Sequence, residues 1–373
     1  MKTLIFDPTL SGHHLEYLHH YYLGALEKTD EEFIFLVHKD FERVKQQYVW
    51  PQSDNISFQY IDDKFDSKLK CNNIYVLGWN VSRVLNHYVR KLGVDKVLLT
   101  VLMQFIPFII FLLPSKVRVR GIMYKIYLYE QERMSKTRLL AEKLRFWIAS
   151  KSKIIDTIFV LNDEDSAKKF NEIYSTSKFK FLPDPVPDVA VSDVKDLRKE
   201  LGISNDCKIY LHFGGLNQRK GTLDILRAII DAPQEIINNK VFIFAGKQND
   251  AFRKLFYPLY DQAKRKCKII VFDEFCTYEH LYNLCYTCDV VLMPYSLTNL
   301  SSGVLGYAAL FGKPVIGPKA GLIGHLITKY QLGECVDIPF SKESLSMKIS
   351  LPVKHIQYIF ANQLDLFIKT VMH

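Results

Sequence analysis

Apolar positions along this chain fall into two alternating patterns. Short runs dominated by β-branched and aromatic residues predict strands at Lys2–Phe6, Phe33–His38, Ile74–Leu77, Val94–Leu99, Val117–Met123, Thr157–Leu161 and Phe179–Leu182. Between them, Leu15–Leu26, Val81–Leu92 and Lys136–Ser150 repeat their apolar residues at helical spacing. Strands of this kind, separated by helix-length segments, predict a parallel, doubly wound sheet.

The pattern breaks at Pro183-Asp184-Pro185-Val186-Pro187, where three prolines in five residues deny both helix and central strand. Alternation then restarts. Strands are expected at Lys208–Phe213, Val241–Ala245, Ile269–Phe272, Asp289–Met293, Pro314–Ile316 and Glu334–Val336, with helices at Thr222–Ile230, Tyr278–Cys285, Ser302–Leu310 and Ile323–Tyr330. The organisation expected is a Rossmann-like domain over 1–183, a second over 188–352, and a C-terminal helical segment, 353–373, packing back across both. The fold class is α/β, with two doubly wound parallel sheets facing a cleft into which the carboxyl ends of the strands point.

A chain of 373 residues is long enough for two cores, and its 48% apolar and 24% charged composition is that of a folded globular protein. The net charge of +9 suits an acidic substrate or an anionic membrane surface; nucleic acid is not among the expected partners. Seven cysteines, with one isolated C-x-x-C at Cys285 and Cys288, read as buried thiols in a reducing, cytoplasmic setting rather than a zinc site. The N-terminus enters a strand directly, without a signal-peptide pattern. Val97–Leu113 approaches the length of a membrane span, but Gln104 and Pro107 interrupt it, so a buried strand followed by a short helix is expected.

Candidate chemistry sits where strands give way to helices. After the first strand comes Asp7-Pro8-Thr9-Leu10-Ser11-Gly12-His13-His14. Gly12 permits close backbone approach, and His13 and His14 open the next helix. A helix N-terminus disfavours imidazolium, so both are expected as neutral donors and acceptors. In the second half, Gly214-Gly215-Leu216-Asn217-Gln218-Arg219-Lys220-Gly221 joins strand to helix. Flexible backbone, two cations and a positive helix end suit a diphosphate. Asp289–Ile316 repeats the arrangement with an uncharged loop, Ser296–Gly303, whose backbone N–H groups are placed for a phosphate. Lys116–Lys153 is strongly basic and interleaved with aromatics, which reads either as a face for anionic lipid or as a solvated helix.

Taken together, FGGLNQRKG (213–221), LPDPV (182–186), VFIFAGK (241–247) and LTNLSSGVLGYAALFGKPVIG (297–317) resemble the GT-B glycosyltransferases of family 4, which use nucleotide sugars. The resemblance covers the second half of the chain and the opening loop of the first. It implies that Lys220 neutralises donor phosphate. An arginine usually stands five residues earlier, where this chain has Gly215, and Arg219 is the neighbouring substitute. The family also carries two glutamates before a G-x-P-V strand; here those positions hold Asn299 and Tyr307, and no acidic residue occurs between Asp289 and Glu334.

The activity implied is transfer of a sugar, of hexosyl type, from a nucleotide-diphosphate sugar to an acceptor hydroxyl. The resemblance implies retained configuration and needs neither metal nor other cofactor. His13, His14, Arg219 and Lys220 would be the catalytic groups. Gly12, Gly214, Gly215, Asn217, Asn299, Ser301, Ser302, Gly303 and Tyr307 would hold the donor. A glycan or lipid-linked acceptor at the inner membrane face is expected, as in surface polysaccharide or glycolipid assembly. The alternative is a non-catalytic, sugar-binding or partner-stabilising subunit, which the two lost glutamates would suit.

Overall fold

The computed structural model describes residues 1–10, 13–71, 73–188 and 194–373. Contacts divide the chain into two units, Met1–Asp184 with Leu364–His373, and Pro185–Gln363. Pro183 to Asp188 carries neither helix nor strand.

Unit 1 is built on β1 (Lys2–Asp7), β2 (Glu32–Val37), β3 (Ile56–Tyr60), β4 (Lys96–Leu99), β5 (Arg118–Met123), β6 (Ile155–Leu161) and β7 (Phe179–Leu182). They form one parallel sheet in the order β3-β2-β1-β4-β5-β6-β7. Because helices cover both faces, the central strands are apolar on both sides, and Thr3 to Asp7 of β1 are all buried. The helix His13–Leu26 packs Tyr17, Leu18, Tyr21 and Tyr22 onto this sheet. Phe367, Ile368, Val371 and Met372 of the helix Leu364–Met372 complete the same core.

Unit 2 repeats the plan with β8 (Lys208–Phe213), β9 (Lys240–Ala245), β10 (Lys268–Phe272), β11 (Val290–Leu292), β12 (Val315–Pro318) and β13 (Gly333–Val336). Its sheet is parallel, in the order β10-β9-β8-β11-β12-β13. In each sheet the order reverses once, between β1 and β4 and between β8 and β11. Chains leaving these strands turn in opposite directions and leave a crevice at the carboxyl ends.

The elements differ from the expected pattern in three places. Ile74–Leu77 is the first turn of a helix, Ile74–Leu92, not a strand. The Asn73 side chain accepts from Tyr75 N and Val76 N, Gly93 closes the other end at φ +63°, and this local capping outweighs β-branched composition. The strand β3, which the pattern did not indicate, is a half-buried edge whose polar residues hide its period. The expected C-terminal helical segment, 353–373, is two helices, His355–Ala361 and Leu364–Met372, separated at Asn362. Val97–Leu113 resolves into the end of β4, a 3-10 turn at Met103–Phe105 and a short helix, Phe108–Leu112. Among the described residues no helix is long and apolar enough to cross a membrane.

Candidate functional site

In unit 2 the candidate residues collect at the carboxyl ends of β8 and β11. Gly214 leaves β8 at φ +91°, and a Cβ there would stand 2.3 Å from the Lys220 Nζ. Asn217 organises the loop: its Oδ1 accepts from Lys220 N at 3.1 Å and its Nδ2 donates to Gly215 O at 2.8 Å. The Lys220 ammonium is thereby brought back over the strand end. It donates to Phe213 O at 3.3 Å and lies 5.2 Å from the centre of the Tyr295 ring. Arg219 is exposed beside it, and its carbonyl accepts from Ser296 N at 2.9 Å.

Those contacts join the first loop to the second. Gly221, at φ +72°, lies so close to Pro294 that a Cβ would fall 2.1 Å from its carbonyl oxygen. Further along, Thr298 O accepts from Leu322 N at 2.6 Å, and Gly321 packs against the Thr298 side chain. This folding buries Asn299 completely, yet neither its Oδ1 nor its Nδ2 has a hydrogen-bond partner among the described residues. Ser301, Ser302 and Gly303 are half-buried, and Ser302 precedes the helix Gly303–Leu310 without capping it through its side chain. Tyr307, on that helix, is buried edge-on against Phe213 at 5.6 Å and beside Tyr282 at 5.7 Å.

His212, on β8 below these loops, ties them together. Its Nδ1–H donates to Leu292 O at 2.9 Å, which leaves Nε2 facing the Thr222 hydroxyl at 2.9 Å. Burial, reinforced by the positive charge of Lys220 and opposed by the bond to Leu292, pushes its pKa down to about 3, so the ring is neutral.

Sequence reasoning missed a second orphaned amide. Gln248 follows β9, is 1% exposed, and neither its Oε1 nor its Nε2 has a partner among the described residues. The start of its loop presses on the first one, since a Cβ at Gly246 would lie 2.1 Å from Gly214 O. The Tyr295 hydroxyl is likewise buried and unpartnered. No local signal marks Gln248; only the packing that strips it of partners does. A cavity of about 700 Å³ lies elsewhere in the unit, among Lys208, Lys240 and Leu345–Ile349 at the amino-terminal ends of β8 and β9. Its Lys240 amine is already bonded to Ile236 O, and it holds no orphaned amide.

In unit 1, Gly12 and the His13 side chain lie outside the described residues. His14 is well placed at the carboxyl end of β1. Its Nδ1 is 2.9 Å from Asp7 Oδ2, and Asp7 is 1% exposed. The same carboxylate accepts from Thr100 Oγ1 at 2.5 Å and from Thr9 N at 2.8 Å. With Nδ1–H donating to Asp7, Nε2 is the nitrogen left to meet a ligand. Asp7 and Thr100 were not among the expected site residues. They meet because β1 and β4, far apart in sequence, are neighbours in the sheet.

No protein-family model and no curated protein sequence matches the chain. Solved structures do. Anabaena HepE, solved in complex with UDP-glucose, superposes over 100% of this chain and 98% of its own, with a TM-score of 0.67 and 15% identity. WaaG, a glycosyltransferase involved in lipopolysaccharide biosynthesis, matches over 100% and 94%, with a TM-score of 0.65 and 14% identity. The fold is that of the GT-B glycosyltransferases. Sucrose-phosphate synthase of Thermosynechococcus elongatus shares it as well, over 100% and 93% of the chains, at a TM-score of 0.62 and 15% identity. At these identities what is shared is the GT-B framework.

Proposed function

We propose that the chain is a glycosyltransferase moving a sugar from a nucleotide-diphosphate sugar to an acceptor hydroxyl. One observation carries the reading: the buried, unpartnered Asn299 amide stands on a loop tied to the one that delivers Lys220. A buried amide left unpaired destabilises a protein by about 1–3 kcal/mol, and a ligand's hydroxyls would supply what it lacks. Lys220 and Arg219 would meet the charge that develops on the leaving diphosphate, and backbone N–H groups at Ser302 and Gly303 would hold its distal phosphate. The ligand class is supported by Anabaena HepE, whose structure contains UDP-glucose.

The acceptor oxygen would bond to the anomeric carbon as the bond from that carbon to phosphate oxygen breaks. In the retaining course implied by the family resemblance, the hydroxyl proton passes to the departing phosphate, and the charge is met by these side chains without a metal. His14, oriented by Asp7, would position the acceptor; in an inverting course its Nε2 would take the proton. Surface polysaccharide or glycolipid assembly at the cytoplasmic face of a membrane fits the basic first half of the chain and the role of WaaG.

A non-catalytic, sugar-binding role is favoured by one observation. The position of the family's second glutamate is Tyr307, which is packed among aromatic rings and offers no carboxylate. Slow hydrolysis of the donor separates the two, since a binding subunit gives none.

The first test is thermal melting with UDP, GDP, dTDP, ADP and CMP, followed by their sugars. A ligand at about 100 times its Kd stabilises by about 2.7 kcal/mol, so one nucleotide should raise the melting temperature measurably, and Lys220→Ala should abolish the rise. No response to any of them overturns the donor site.

A further inference from the structure

Lys96 opens β4 at the amino end of the unit 1 sheet, the end opposite His14. It is 8% exposed, and no other lysine or arginine among the described residues is buried. Parallel strands in register set their paired side chains on one face of the sheet. Thr3 of β1 pairs with Lys96, so the two side chains stand next to each other. Two residues further along each strand, Ile5 and Leu98 pack into the core closed by the helices His13–Leu26 and Leu364–Met372. Arg118 of β5 pairs with Lys96 on its other side, but it is exposed and donates to Ser115 O at 3.0 Å.

The charged groups that act on Lys96 are Arg120, Glu31, Lys28 and Asp156, and both carboxylates are already matched. Glu31, between the first helix and β2, is 3.6 Å from the Lys28 amine, and Asp156 of β6 is 2.6 Å from Arg120 of β5. Lys28 Nζ also donates to Met372 O at 2.8 Å. Among the described residues the Lys96 amine has neither a hydrogen bond nor an ion pair of its own. A buried cation without a partner is costly and gives up its proton instead. Burial, followed by the charge of Arg120, brings the Lys96 ammonium down to about 8, against the pull of Glu31. A neutral buried lysine is a nucleophile. The group beside it is also unsatisfied: Thr3 is 0% exposed, and its hydroxyl has no partner among the described residues. An orphaned hydroxyl, a neutral amine and two neighbouring cations suit an anion built on that amine.

We propose that Lys96 is a carbamylation site, whose amine takes up carbon dioxide to become a carbamate held by Thr3, Lys28 and Arg120. The Nζ lone pair forms a bond to the carbon of CO2, one C=O π pair moves onto oxygen, and the nitrogen releases a proton to water. The product carries one negative charge where the ammonium carried a positive one. The Thr3 hydroxyl then gains an acceptor, and Lys28 and Arg120 gain a counter-charge. Burial selects the smallest electrophile. An aldehyde or ketone would leave an imine, which brings no anion to the hydroxyl or to the cations.

The test incubates the full wild-type chain with isotope-labelled bicarbonate, traps any carbamate as its ethyl ester with triethyloxonium, and locates the label by peptide mass mapping. Labelled ester should appear on Lys96. At fixed dissolved CO2 its yield should climb as pH rises through about 8, because only the neutral amine reacts. Thr3→Val keeps the amine and removes the hydroxyl, so below saturating CO2 it should lower the yield at Lys96 about tenfold. Lys143, which is exposed, serves as the internal standard for ordinary lysine chemistry. No ester on Lys96 overturns the site, as does ester there at no more than the yield on Lys143. A yield that Thr3→Val leaves unchanged overturns it too. Because the label is read first on the wild type, the result does not depend on a variant that folds.

Discussion

Asn299 and Gln248 are both amides that burial has stripped of partners. An amide carries donors and an acceptor whatever the pH, so in the proposed donor site it would read hydroxyls without adding charge beside a diphosphate. The glutamate that the family resemblance leads one to expect at 299 would add a negative charge there. His212 beneath them makes the site pH-sensitive through stability. Its pKa is pushed down to about 3 in the fold against 6.5 in a model peptide. Between those values the unfolded chain binds a proton that the folded chain refuses. Stability is therefore complete above pH 6.5 and falls as pH drops towards 3, by at most about 1.4 kcal/mol per pH unit. Urea unfolding of the wild type and His212→Gln across this range should show a shallower decline in the variant.

Glycine decides how the elements meet. Gly221 and Gly312 both have positive φ, +72° and +60°, but a Cβ at Gly221 would strike Pro294 O at 2.1 Å whereas one at Gly312 meets nothing within 4 Å. Gly312→Ala should therefore destabilise by about 1–2 kcal/mol, the strain of a left-handed alanine. Gly221→Ala should destabilise more and weaken the nucleotide response as well, because relief of the clash parts the loop of Lys220 from the loop of Asn299. Denaturation and nucleotide melting on the two variants measure both effects. The loop at 214–221 was legible because its signal is contiguous: strand, glycines, cations, helix. Ile74–Leu77 was misread because side-chain type favoured a strand while the deciding contribution, the Asn73 cap, came from one residue outside the run. The Asp7–Thr100 contact was not legible at all, since two strand ends distant in sequence had to become neighbours first.

At the scale of the whole molecule, the chain leaves unit 1 at Asp184, builds unit 2, and returns at Leu364. Phe367 closes the first core: it is fully buried, with its ring 5.6 Å from Tyr17, 5.3 Å from His20 and 6.0 Å from Tyr21. Phe367→Ala should lower the stability of unit 1 by about 3–5 kcal/mol, read by urea unfolding. The nucleotide response of unit 2 should survive it, because none of the loops around Lys220 and Asn299 draws on that core.

Sequence alone determined the two alternations of strand and helix, the proline break between them, and the glycine-rich loop that carries Lys220. Each depends on residues near one another in the chain, through periodicity, backbone freedom and charge. Only the tertiary structure decided that His14 would be held by Asp7, and that Gln248 and Asn299 would be buried with no amide partner among the described residues. Burial and pairing depend on which strands lie side by side, and parallel strands that are neighbours in a sheet are separated by whole helices in sequence.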